Sequence, residues 1–143
     1  MKYIVIDTET TGLDPQRHEL LSLGAIVMID EVVTERIEIK IKPRNIEQAD
    51  AEALRINGYT PYRWKHAIEG EHAATIIKHF FLTHLDGILV GHNVNFDIKF
   101  LKAFADEFFQ EFTLPVPYID TRDVCRVNLA PYGCASMLSL IHI

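Results

Sequence analysis

The sequence predicts an α/β domain in which a mixed sheet carries helices on its faces. Three observations predict it. Apolar, β-branched runs within the first 41 residues read as a strand meander. Helix and strand patterns then alternate towards the end of the chain, which places helices on both faces of the sheet. With 143 residues, 48% apolar and 24% charged, the chain fits one domain, residues 1–143; a chain this long buries roughly two thirds of its unfolded surface.

Tyr3-Ile4-Val5-Ile6 is a continuous apolar run, as expected of a strand buried on both faces. Leu20 to Ile29 is a second β-rich run, broken by Asp30-Glu31. In Val32 to Ile41 the residues Ile37, Ile39 and Ile41 face one way, with Glu38 and Lys40 between them, so this strand has one wet face. Ala49 to Ile56 reads as a short helix stopped by Asn57-Gly58. Glu69 to Leu85 is a longer helix with an apolar stripe of Ala73, Ile76, Ile77, Phe80 and Phe81, ended by Gly87. Ile88-Leu89-Val90 is a short strand, and Asn95 to Phe109 the longest helix. Pro115 and Pro117 precede a strand at Tyr118-Ile119, Asp120 caps a helix over Thr121 to Leu129, and a further helix starts at Ala135.

Charge and cysteine usage narrow the function. With 14 Lys+Arg against 20 Asp+Glu the net charge is −6, which excludes a broad basic stripe for nucleic acid. A polyanionic substrate must be met locally, by a few cations or by metal. Cys125 and Cys134 are nine apart, neither a CxxC pair nor a disulfide framework, and read as reduced thiols in a cytoplasmic protein. No apolar stretch is long enough for a membrane span, and Asp7 and Glu9 interrupt the apolar start that a signal peptide would need.

Chemistry-bearing residues occur in two clusters. Asp7 and Glu9 are i and i+2 at the end of the first strand, so their carboxylates point to the same side and repel unless a cation lies between them. Asp97 falls in the middle of the stripe Phe96, Phe100, Leu101, Phe104 and Phe108. A carboxylate there either takes backbone N–H groups at the helix start or binds a metal. Three carboxylates, two on a strand and one on a helix, form a hard-oxygen set suited to Mg2+ or Mn2+.

Asp7-Thr8-Glu9-Thr10-Thr11-Gly12-Leu13 resembles the first motif of the DEDD, or DnaQ-like, 3′→5′ exonuclease family, and Gly91-His92-Asn93-Val94-Asn95-Phe96-Asp97 resembles its second. Ala53 to Gly58 and Tyr118 to Thr121 match intervening and later stretches in the family's order. The resemblance implies an RNase H-like five-stranded sheet: three antiparallel strands, with Ile88–Val90 and Tyr118–Ile119 parallel to the first. It implies hydrolysis of phosphodiester bonds at 3′ ends with two Mg2+ or Mn2+ ions, held by Asp7, Glu9 and Asp97. Thr8, Thr10 and Gly12 would lie along the 3′-terminal nucleotide, and Glu52 and Asn57 would touch its sugar. Leu13 would wedge against the terminal base; read from the residues alone, it serves equally as a core residue under the turn. His92, Asn93 and Phe96 fall in the same substrate region, with His92 read as a hydrogen-bonded structural group rather than the general base. The implied partners are a nucleic-acid 3′ end, DNA rather than RNA, and a DNA polymerase subunit.

The family's third motif, a histidine followed five residues later by a fourth aspartate, has no match before Ile143. Gly133 to Leu140 resembles the helix that precedes it, so the expectation is a truncated C-terminal helix, an incomplete domain and weakened catalysis. Apolar surface left uncovered there leads to the expectation of a homodimer. The alternative to an enzyme is a non-catalytic module, derived from the same fold, that binds a 3′ end, a nucleotide or a partner protein. A phosphoesterase acting on small nucleotides would use the same residues.

Overall fold

The structure, a computed structural model, describes residues 1–108 and 111–128. Five strands form one sheet in the order β3-β2-β1-β4-β5, with β1 at Lys2–Thr10, β2 at Leu20–Ile29, β3 at Val32–Lys40, β4 at Ile88–Gly91 and β5 at Tyr118–Asp120. β1, β2 and β3 pair antiparallel, whereas β4 runs parallel to β1 and β5 parallel to β4. The expected mixed sheet is therefore present, strand for strand. The helices are α1 at Ala51–Asn57, α2 at Gly70–Thr83, α3 at Val94–Glu107 and α4 at Thr121–Asn128.

The two faces of the sheet differ. Ile4, Ile6, Thr8 and Thr10 of β1 are buried, and their partners Val27, Ala25 and Leu23 share that face, where Ile39 and Leu89 join them. Phe80 and Phe81 of α2, and Phe100, Leu101 and Phe104 of α3, close this core; fully burying such a side chain is worth about 1.5–3 kcal/mol. The α2 stripe differs from the periodic expectation at one position: Ala74 is buried and Ile76 is 37% exposed.

On the other face Tyr3, Val5, Asp7 and Glu9 are only half-buried, so the first strand is not the doubly buried one expected. That face is reached by Asn57, at the end of α1, and by Arg63 and Trp64 in the turn that follows, which line a cleft with Asp7 and Glu9. β1 extends to Thr10, so both acids sit on the paired strand, where their i, i+2 spacing gives them one face. Among the described residues no helix is long and apolar enough to cross a membrane. The expected helix from Ala135 lies outside the described residues, as does the surface to which the homodimer was assigned.

Candidate active site

The carboxyl ends of the parallel strands collect the candidate residues, as open α/β sheets do for their ligands. Asp120 closes β5 beside Gly91 of β4 and acts as the expected cap: its Oδ1 accepts from the Arg122 N–H at 3.0 Å. The same oxygen accepts from the Asn93 N–H at 3.0 Å, tying the β4–α3 corner to the β5–α4 corner. Burial works against ionisation of Asp120, but the Arg122 side chain and the two backbone N–H groups hold its pKa below the ordinary carboxylate value. His92 Nδ1 lies 3.1 Å from the Thr121 hydroxyl, a contact that fits a structural histidine. Asn93 adopts the left-handed conformation, with φ 62°, as the chain turns into α3. Phe96 packs partly buried against Phe100, with ring centroids 4.8 Å apart.

That sharp entry puts Asp97 in the first turn of α3 and aims it at β1. It is 3% exposed. Its Oδ1 accepts from both the backbone N–H of Thr8, at 3.0 Å, and the Thr8 hydroxyl, at 2.6 Å. The residue between the two strand acids is thus pinned to the helix acid. Burial raises the Asp97 pKa to about 7, the Thr8 hydrogen bond opposes the rise, and the charge of Asp7 adds to it. Asp7 and Glu9 point to the opposite face from Thr8 and line the cleft. Among the described residues no three His, Cys, Asp or Glu side chains are grouped closely enough to hold a metal ion. The donor chemistry nevertheless fits a hard divalent cation, because Asp7 and Glu9 share the cleft with a third carboxylate, Glu38, and Asp97 behind them responds to the charge of Asp7.

The 10–19 turn follows. Thr10 donates its hydroxyl to the Gly12 carbonyl at 2.6 Å, and the Glu19 N–H donates to the Thr11 hydroxyl at 2.8 Å. Leu13 is 78% exposed, which removes the reading of it as a core residue and leaves its side chain free to meet a ligand. A Cβ on Gly12 would come within 2.6 Å of the His18 ring, so a packing contact already demands glycine there. Asn57 donates Nδ2–H to the Thr10 carbonyl at 2.9 Å and accepts from the Tyr59 N–H at 3.0 Å, and it lines the cleft. Glu52 instead forms a two-point pair with Arg55, at 2.8 and 2.6 Å, on the exposed side of α1. His18 was missed in the sequence because no ligand spacing marks it. Lys40, Arg63 and Trp64 were missed because only the fold brings them beside Asp7 and Glu9.

Residues 4–139 match the family described as Exonuclease (RNase_T). The chain is 34% identical over 145 residues to the PolC-type DNA polymerase III of Thermotoga petrophila, covering 99% of this chain and 10% of that protein. It is 37% identical over 109 residues to the DNA polymerase III epsilon subunit of Rickettsia typhi, covering 71% of this chain and 43% of that one. The chain thus spans less than half the length of these relatives. Among solved structures, E. coli exonuclease I in complex with a dT13 oligonucleotide shares the fold, with a TM-score of 0.78, 23% identity, and coverage of 92% of this chain and 31% of that one.

Proposed function

Because the chain belongs to the exonuclease family, we propose that it removes nucleotides from the 3′ end of DNA by metal-dependent hydrolysis. The observation that carries this reading is the placement of Asp7 and Glu9 in one cleft, with Asp97 locked behind them through Thr8. Asp7, Glu9 and Asp97 would hold two ions, Mg2+ or Mn2+. When bound, such ions polarise a phosphodiester and make a bound water nucleophilic. The chain's own residues do the positioning. Asp97 fixes the backbone between the two acids, so both keep one direction. Leu13 presents an apolar side chain to a terminal base, while Thr8, Thr10 and Gly12 shape the strand end along which a 3′ nucleotide would lie. Glu52 and Asn57 are assigned to the sugar and His92, Asn93 and Phe96 to the far side of the pocket. The names of the relatives support DNA as substrate and a DNA polymerase subunit as partner, and the two spaced thiols support a cytoplasmic setting.

The test uses single-stranded DNA labelled at the 5′ end, with Mn2+ or with EDTA. A ladder shortening from the 3′ end, abolished by EDTA and by Asp7→Ala, is expected. Shortening from the 5′ end, or activity indifferent to metal, refutes the reading. A second reading, a non-catalytic module that binds 3′ ends, is favoured by the two Thr8 hydrogen bonds of Asp97, which pin the fold whether or not an ion binds. Tight binding of DNA without any Mn2+-dependent shortening selects it.

A further inference from the structure

Two rows of paired residues cross the open face of the sheet. Asp7 pairs with Gly24, which pairs with Glu38; Glu9 pairs with Ser22, which pairs with Lys40. Cross-strand partners share a face, so all of these side chains point to the same side. β2 contributes only Gly24 and Ser22 there. A slot of about 160 Å3 is left, lined by the β1 acids and also by Lys40, Arg63 and Trp64. Lys40, on β3, is two strand spacings, about 10 Å, from Glu9 on β1.

This lining is built rather than incidental. Trp64 is buried; its Nε1–H donates to the Leu21 carbonyl at 3.1 Å, and its ring lies 5.1 Å from that of Tyr59. The Lys40 ammonium sits 5.0 Å from the centroid of that fixed indole and 3.4 Å from the Arg63 carbonyl oxygen. Arg63 spends one N–H on the Gly58 carbonyl, at 3.1 Å, of the five it can donate. The Glu38 carboxylate is 3.7 Å from Lys40 and exposed, a contact of the kind worth little.

We propose that Lys40 and Arg63 form a phosphate-binding wall for a single-stranded nucleic acid whose 3′ end lies at Asp7 and Glu9. The inference rests on the proposed function and adds the residues that hold the strand. A chain of net charge −6 repels a polyanion at long range, so it needs cations placed where the strand crosses it. These two are placed there, and the Trp64 ring orders Lys40 before any strand arrives. The slot, about 160 Å3 and open to solvent, admits a phosphodiester group beside Lys40 and Arg63. Glu38 competes with that phosphate for Lys40.

The test measures binding of a labelled oligothymidylate by fluorescence anisotropy, in Ca2+ and across a salt series, with melting curves to check that each variant folds. Lys40→Met and Arg63→Gln should each weaken binding and flatten the plot of log affinity against log salt by about 0.7, the amount for one single-strand phosphate contact. Glu38→Gln should tighten binding. Lys99→Gln, which removes the same charge from α3 on the opposite layer, is the control and should alter the slope by less than half as much. Wild-type slopes in Lys40→Met and Arg63→Gln, or an equal loss in Lys99→Gln, overturn the wall while leaving the nuclease reading standing. A wild-type protein that neither binds nor shortens the oligonucleotide overturns both.

Discussion

Replacing Asp97 by Asn should make the protein more stable at pH 8 in metal-free buffer and should flatten its stability between pH 4 and 7. The carboxyl is 3% exposed and its pKa is pushed from 3.8 to about 7, chiefly by burial. Below pH ~4 it is protonated in both the folded and the unfolded chain and contributes no difference. Between pH ~4 and ~7 the unfolded chain ionises while the folded one holds its proton, so stability falls as pH rises. Above pH ~7 both are ionised and the penalty stays constant. Each pH unit across that window is worth about 1.4 kcal/mol, which puts the limit near 4 kcal/mol, with relaxation and water entry leaving about half. Asn presents the same oxygen to the Thr8 N–H and hydroxyl, so the two hydrogen bonds survive. Urea unfolding of both proteins in EDTA, from pH 4.5 to 8.5, measures the difference. Mn2+ added at pH 8 should stabilise the wild type and not the variant. Parallel stability curves, or a variant weaker at pH 8, would refute the assignment of burial as the cause.

Three further outcomes are expected. Asp7→Ala should abolish Mn2+ binding in calorimetry and, because the charge of Asp7 also raises the Asp97 pKa, should be at least as stable as wild type without metal; unchanged Mn2+ affinity would remove Asp7 from the ion site. Asp120→Ala leaves the N–H groups of Arg122 and Asn93 unbonded and should cost about 1–3 kcal/mol. Since the folded pKa of Asp120 is depressed, its charge contributes stability that is present above pH ~4 and lost as pH falls further, so wild type and variant should converge in acid. Leu13→Ala should change stability by less than about 0.5 kcal/mol, as at other exposed positions, while raising the KM for a 3′ end.

The elements that were legible in the sequence are those whose patterns are local. Leu20–Ile29 announces a strand as an apolar, β-rich run, and the alternating isoleucines of β3 do so because burial on one face imposes a period of two. Asp97 was legible because a carboxylate inside an apolar helical stripe must have a partner, although the partner itself, Thr8, is 89 residues away and leaves no trace in spacing. The shared direction of Asp7 and Glu9 at the end of β1 was legible from their i, i+2 spacing, but their partners Gly24 and Ser22 were not, because polar residues at a strand end look the same whether or not a neighbouring strand pairs with them. Lys40 comes from a strand and Arg63 and Trp64 from a turn more than twenty residues on, joined by long-range contacts that leave no periodic trace in the sequence.

Gly12 offers two physical explanations for one glycine, and they can be separated. Glycine at the end of the first motif suits close approach of a sugar or phosphate to the backbone. The structure supplies a different demand: a Cβ would lie 2.6 Å from three atoms of the His18 ring. That ring has little freedom to yield, since its Nδ1 accepts from the Asp14 N–H at 3.0 Å and its Nε2 lies 3.8 Å from the Asp50 carboxylate. Gly12→Ala should therefore cost about 1–3 kcal/mol, the usual range for overpacking. Adding His18→Ala vacates the space, so the double variant should regain most of that loss, a coupling that a double-mutant cycle of melting curves reads directly. If packing is the whole reason for the glycine, the KM for a 3′ end recovers with stability. If substrate also needs the bare backbone, stability recovers and the KM defect persists. A Gly12→Ala protein that melts with the wild type would show that the His18 contact is not what holds this turn.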